Sequence, residues 1–151
     1  MMLQPTLVTW ILVIFGVMTC GPLFAVQLIV LLQPHSQKTK ELVIGKNEEW
    51  RDKTHFKSAY ALAWADWLFF APVFVAAIIG VLLGQIWGYV LFAVAGAISL
   101  YINLFLWFFE KEYVYPADGP LAYYTYIWGN FVYWGAATLV YALLRLNGVS
   151  F

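Results

Sequence analysis

The sequence has one cysteine, Cys20, and two histidines, His35 and His55. A single cysteine allows no internal disulfide and does not indicate a redox compartment. Both histidines fall in a polar segment between apolar stretches, so we expect no intramembrane histidine pair for a b-type haem. Paired cysteines, a repeated Glu-x-x-His pattern, a P-loop and a glycine-rich dinucleotide turn are absent from the sequence. We therefore predict no metal site, and the sequence points to no particular cofactor.

Charge is scarce and apolar residues dominate. Charged residues make up 11% of the chain, apolar residues 64%, and the mean hydropathy is +0.78. A membrane-spanning helix needs about 20 mostly apolar residues. Four stretches meet that requirement, at 8–32, 58–83, 86–109 and 121–144. We therefore predict an all-α integral membrane protein, a four-helix transmembrane bundle in which residues 1–151 form a single membrane domain.

The basic residues predict the orientation of this bundle. Six of the eight Lys and Arg residues lie in the first connection, 33–57, and Lys111 lies in the third, 110–120. The positive-inside rule makes both connections cytoplasmic, as in a bacterial inner membrane or an equivalent membrane. Both termini then face outward, and Arg145 reaches the outer interface along its aliphatic stem.

The first connection mixes both signs of charge. Its acidic residues reduce the net charge of this segment to about +2. This is not the pattern of a nucleic-acid patch, so the lipid bilayer is the predicted partner. The stretch KNEEWRDKTHFK predicts either a short helix on the membrane surface, with Trp50 and Phe56 dipped inward, or a solvated loop.

Each predicted span carries one strongly polar side chain at a similar depth. Counted from the cytoplasmic helix ends, the four lie roughly 9–12 Å into the membrane. They are Gln27, Asp66, Asn103 and Asn130. Helical spacing also puts Ser99 and Glu110 on the Asn103 face. Pro72, just outward of Asp66, predicts a kink that frees the carbonyl near Leu68.

Asp66 raises the question of what this polar layer does. An ionisable group at such a depth costs about 2.5–3.5 kcal/mol on insertion scales, and no Lys or Arg is placed to pair with it. One interpretation is structural, with Asp66 bonded to the three amides and locking helix packing. A second is a pocket open to the cytoplasmic half. A third is accidental alignment, because predicted helix ends are inexact.

Aromatic side chains surround the predicted layer. Trp64, Trp107 and Tyr126 are candidates for the walls of a pocket, and Glu110 is a candidate second carboxylate at its mouth. Such walls with a few polar groups suit a flat amphipathic ligand such as a sterol, a quinone or a lipid headgroup region. The tyrosines near the inner boundary predict an interfacial aromatic belt: Tyr113, Tyr115, Tyr123, Tyr124 and Tyr126.

Four functions fit these features. The leading hypothesis is binding of a small amphipathic or lipid-like ligand around Asp66, Asn103 and Asn130. The alternatives are a structural or accessory subunit, an oligomeric channel or proton-coupled transporter, and a small membrane enzyme using Asp66 and Glu110 as an acid/base pair. If the protein is an accessory subunit, or a channel or transporter, we expect it to form a homo-oligomer or to join a membrane complex.

The topology resembles that of the membrane-associated eicosanoid and glutathione metabolism proteins, which share the size, the four spans and the outward termini. The stretch RDKTHFKSA keeps Arg51 and His55 of their second-helix motif. Lys57 and Ser58 replace the polar residues that come next, and the Asn and Glu that would contact glutathione are missing. The resemblance therefore implies a topology and no glutathione chemistry.

Overall fold

The computed structural model describes residues 3–46, 49–109 and 129–151. Within these ranges the regular structure is entirely helical and comprises five helices. They are α1 (Leu7–Leu32), α2 (Gln37–Val43), α3 (Lys53–Leu82), α4 (Ile86–Phe109) and α5 (Gly129–Leu146). Three of them, α1, α3 and α4, are long and apolar enough to cross a membrane. For the described residues, the predicted all-α structure with membrane-compatible helices is confirmed.

The third helix begins earlier than the apolar run that predicted it. Asp52 caps α3, its carboxylate accepting the backbone N–H groups of Thr54 and His55 at 2.7 and 3.0 Å. Lys53 to Lys57 therefore belong to the helix and not to the connection. This start also corrects the expected position of His55, which lies on α3. The short helix of the first connection is α2, which is capped by Ser36 and lies upstream of KNEEWRDKTHFK.

The fourth predicted stretch is described only from Gly129 onward. Its α5 ends at Leu146, two residues beyond the predicted end. The first part of that stretch, the third connection and its tyrosines lie outside the described residues, as do Glu110 and Tyr126.

Both chain ends meet at one end of the bundle, here called the terminal end. The backbone N–H of Leu3 donates to the carbonyl of Gly84 in the α3–α4 turn at 2.8 Å. Gly84 has φ +67°, a conformation that side-chain-bearing residues rarely adopt. The opposite end, where α1 ends and α3 begins, is the connection end. Gln27 and Asp66 lie in this half of the bundle.

Trp134 occupies the centre of the core. Its side chain is fully buried, and its Nε1–H donates to the carbonyl of Leu12 on α1 at 2.9 Å. Gly16 makes room for the indole, because a Cβ there would come within 2.7 Å of Nε1. Phe74 and Phe92 pack on the same indole, with ring centroids 5.5 and 6.1 Å away. Trp134 thus joins α1, α3, α4 and α5.

Candidate functional site

A widened turn interrupts α3 at Asp66. Residues Asp66–Phe70 form a π-helical turn in which the N–H of Ala71 donates to the carbonyl of Asp66. Pro72 follows at once and has no N–H for the carbonyl of Leu68, so the regular i to i−4 pattern fails here. The predicted disturbance at Pro72 is thus accompanied by a π turn, a feature frequent at functional sites.

Trp67 fixes this turn to the first helix. Its Nε1–H donates to the carbonyl of Phe24 on α1 at 3.0 Å. Phe70, at the end of the turn, stacks edge-on against the Phe24 ring with centroids 5.3 Å apart. These contacts bracket the widened turn and hold Asp66 at a defined position beside α1.

A cavity of about 590 Å³ opens beside Asp66. It lies between α1, α3, α4 and α5, and Leu42 and Val43 of α2 also line it. Its walls are mainly apolar and include Phe15, Leu23, Val26, Leu62, Phe70, Ile102, Leu106 and Phe131. The polar groups on its lining are Thr19, Gln27, His55, Ser58, Asp66, Asn103 and Asn130. All four members of the predicted polar layer therefore reach the same cavity.

Asp66 and Gln27 are in direct contact. Gln27 Nε2 donates to Asp66 Oδ2 at 3.2 Å, which joins α1 to α3. The Asp66 side chain is only 8% exposed. A buried carboxylate held by a neutral amide keeps a hydrogen bond without acquiring a counter-ion.

Asn103 and Asn130 line the cavity in different ways. Asn103 is buried, and its Nδ2 donates to the carbonyl of Ser99 one turn back along α4, at 2.8 Å. Ser99 Oγ donates in turn to the carbonyl of Phe131 on α5 at 2.9 Å. Asn130, by contrast, is exposed. The two amides therefore surround the cavity together with the Gln27–Asp66 pair, while Asn103 directs its N–H group along its own helix.

Two of the predicted aromatic wall residues, Trp64 and Trp107, lie away from the described cavity lining, and the third, Tyr126, is outside the described residues. Trp64 is 45% exposed on the outside of α3, and Trp107 is half-buried on α4. Neither is among the described residues that line the cavity. The aromatic residues on the described lining are phenylalanines from α1, α3, α4 and α5, namely Phe15, Phe70, Phe109 and Phe131.

His55 and Ser58 are cavity residues that the sequence assignment missed. His55 is buried, and its Nδ1 accepts the backbone N–H of Arg51 at 3.4 Å. With Leu62 and Asp66 they follow a helical spacing of 3, 4 and 4 residues along one face of α3. This spacing places both residues on the Asp66 face. The polar character of segment 33–57 hides His55 from a hydropathy criterion, whereas Ser58 begins the predicted span 58–83.

The terminal end holds a second polar cluster, the hydroxyl cluster of Thr6, Thr9, Tyr89 and Tyr141. The phenol of Tyr141 bonds to Thr6 Oγ1 at 2.7 Å and also to Thr9 Oγ1. Thr9 Oγ1 bonds further to the Tyr89 hydroxyl at 3.3 Å. Three helices, α1, α4 and α5, meet at these hydroxyl groups, which form hydrogen bonds with one another.

Arg145 lies beside the hydroxyl cluster and is 7% exposed. Its Nη2 donates to the carbonyl of Gln4 at 2.7 Å, and its guanidinium carbon lies 5.6 Å from the centroid of the Tyr89 ring. Its Nε and Thr138 Oγ1 are the buried side-chain polar atoms that find no partner in the part of the chain that the structure describes. The cation is thus held at the end of the bundle opposite Asp66.

Titratable side chains are dispersed through the bundle. In residues 3–46, 49–109 and 129–151, no three His, Cys, Asp or Glu side chains gather closely enough to hold a metal ion. Cys20 is fully buried. Asp66 is the one carboxylate among the described residues that line the cavity.

Comparison with known proteins returned no match to a family model, a curated protein or a solved structure. A function for the chain is therefore inferred from the cavity and the residues around it.

Proposed function

We propose that this protein is a four-span membrane bundle that binds a small amphipathic or lipid-like molecule in the cavity beside Asp66. The connection end faces the cytoplasm in this proposal, and both termini lie on the outer side. The excess of Lys and Arg in the first connection supports that orientation. A bacterial inner membrane or an equivalent membrane is the corresponding location.

The outward faces of the helices support insertion in a bilayer. Large apolar side chains that do not line the cavity are exposed along α1, α3 and α4, including Ile14 at 55%, Leu68 at 70% and Phe108 at 63%. Exposed apolar surface on this scale is unfavourable in water and favourable in lipid. In this proposal lipid covers the outward faces of the helices, and the ligand enters the cavity between them.

The observation that carries the proposal is an unfilled cavity built around a carboxylate. A polar layer that served packing alone would close on itself, because lining atoms without neighbours lose dispersion contacts. Here about 590 Å³ remains between Asp66, Asn103 and Asn130. That volume falls within the range of small-molecule sites, roughly 300–1,000 Å³, and its apolar walls with a few polar groups match their composition.

A structural role for the layer is the second candidate. The Gln27–Asp66 bond ties α1 to α3, and the Ser99–Phe131 bond ties α4 to α5. Interhelical bonds of this kind contribute about 0.6–2 kcal/mol each in membranes. In this case the protein is an accessory subunit, and changing Asp66 lowers stability without removing a ligand.

A matched pair of filling variants on α3 separates the two roles. Ala59 lines the cavity, whereas Ala61 is exposed on the outside of the same helix. Native mass spectrometry of protein purified from its own membranes measures small molecules that remain bound. We expect wild type and Ala61→Phe to carry the same additional masses and Ala59→Phe to lose them. Equal recovery from all three proteins, or no bound mass in wild type, would argue against the ligand-binding role.

A further inference from the structure

We infer that the cavity selects amphiphiles carrying a cationic amine, with the ammonium group against Asp66 and the apolar body between the phenylalanine walls. This inference rests on the proposed ligand-binding function and names the chemical class of the ligand. It follows from the distribution of charge in and around the cavity.

The cavity is acidic by composition. The described residues on its lining include one carboxylate, Asp66, and neither Lys nor Arg. Gln27 is neutral and donates one hydrogen bond to Oδ2. A carboxylate offers about four acceptor positions on its two oxygens, so a ligand N–H group can be received beside the Gln27 amide. A charged donor makes the stronger bond in a site with little water.

His55 does not supply the missing positive charge. Its Nδ1 accepts the N–H of Arg51, which requires a lone pair on that nitrogen. A protonated imidazole has a hydrogen on both nitrogens and cannot accept this bond. The assigned hydrogen bond thus corresponds to a neutral imidazole with its hydrogen on Nε2.

The basic side chains of the helices point elsewhere. Lys53 and Lys57, on the first turns of α3, and Lys38 on α2 are exposed and lie outside the cavity lining. Lys40 on α2 is also absent from the lining and pairs with Glu49. Arg145 is held at the terminal end by the carbonyl of Gln4 and the ring of Tyr89. The described helices thus place the buried cation and the buried carboxylate in opposite halves of the bundle.

The remaining lining suits the rest of such a ligand. Phe15, Phe70 and Phe131 provide aromatic surface for an apolar body and for cation–π contact close to the ammonium group. The side-chain oxygens of Ser58, Asn103 and Asn130 are acceptor types for additional N–H groups. An anionic headgroup would meet Asp66 with no described Lys or Arg on the lining to offset the repulsion. Fatty acids are therefore disfavoured.

Three photoreactive probes with the same alkyl chain test this selectivity. One carries an ammonium, one a hydroxyl and one a carboxylate, and each has a diazirine on the chain close to the headgroup. The full chain in phosphatidylcholine nanodiscs is labelled, and peptides containing Leu62 and Phe70 are quantified by mass spectrometry. We expect the amine to label these peptides at least about tenfold more than the acid, as a hydrogen bond to a charged group would give.

Asp66→Asn should remove that preference, and Trp64→Phe, a change at an exposed position on the same helix, should keep it. Competition by phosphatidylethanolamine would assign the ammonium to a membrane lipid, and its failure to compete would assign it to a single-chain amine. Equal cavity labelling by all three probes in wild type, a comparison that needs no variant, would overturn the amine inference and leave ligand binding standing. No cavity labelling by any probe would overturn both.

Discussion

The two ends of the bundle use buried polar groups differently. At the terminal end, the hydroxyl groups of Thr6, Thr9, Tyr89 and Tyr141 contact one another. At the connection end, Asp66 and Gln27 bond to each other and still border a cavity of about 590 Å³. A closed network contributes to stability, whereas polar groups around an open space are available to a ligand.

The difference follows from the side chains that face inward at each level. Above the widened turn, Trp134 and its aromatic neighbours fill the centre of the bundle. On the connection-end side of the turn, the inward-facing residues line the cavity instead. Changes at the two ends should consequently have different effects on stability.

The largest difference is expected between a core indole and a cavity-lining leucine. Trp134→Ala should lower the free energy of unfolding by about 3–5 kcal/mol, because it leaves a void where α1, α3, α4 and α5 meet. Leu62→Ala should cost only about 1 kcal/mol, since that side chain is half-buried and already borders open space. Unfolding in increasing SDS measures both. Equal losses would mean that the cavity is closed in the membrane.

Two glycines on α1 sharpen the comparison within one helix. A Cβ on Gly16 would meet the Trp134 ring at 2.7 Å, whereas one on Gly21 would meet nothing within 4 Å. Gly16→Ala should therefore destabilise by about 1–3 kcal/mol through overpacking. Gly21→Ala should be neutral or stabilise by up to about 1 kcal/mol, because glycine is the more flexible residue in the unfolded chain. The same SDS titration measures both variants. A larger loss of stability for Gly21→Ala than for Gly16→Ala would show that the inward and outward faces of α1 are wrongly assigned.

A smaller effect is expected from the hydroxyl cluster. Tyr141→Phe removes the phenol that bonds to Thr6 and Thr9 and should cost about 1–2 kcal/mol. Tyr133→Phe is the control on the same helix, because Tyr133 is 50% exposed, and its effect should stay within about 0.5 kcal/mol. If Tyr141→Phe changes the free energy of unfolding no more than Tyr133→Phe does, the hydroxyl cluster does not stabilise the terminal end.

The smallest stability effect is expected at Asp66. Asn at this position keeps an oxygen that accepts the Gln27 amide, so Asp66→Asn should change the free energy of unfolding of ligand-free protein by less than about 1 kcal/mol. A loss larger than that of Tyr141→Phe would favour the structural role of the layer over ligand binding.

Depth counting and helical phase explain which features the sequence could predict. Asp66, Gln27, Asn103 and Asn130 were expected at one level, and all four border one cavity. Depth alone predicts Trp64 as a wall residue, but helical phase does not. Trp64 lies two residues from Asp66, about 200° around the helix, and therefore faces outward. His55 was missed because hydropathy marked the start of the span, although Asp52 offered a helix cap just before it.

Other features depend on tertiary contacts. Pro72 predicts a disturbance, but whether the chain kinks or widens depends on what holds the preceding turn. Here the indole N–H of Trp67 donates to the carbonyl of Phe24 on α1, and residues Asp66–Phe70 form a π turn. The turning of Asn103 toward Ser99 is likewise a choice between partners that one sequence does not reveal.

The most direct test of the contrast between the two ends is an experimental density map of the protein in nanodiscs formed from its own membranes. We expect elongated non-protein density in the cavity, in contact with Asp66 and the ring of Phe70, and continuous side-chain density through the hydroxyl cluster. A map in which side chains fill the cavity and Asp66 bonds directly to Asn103 and Asn130 would contradict the account.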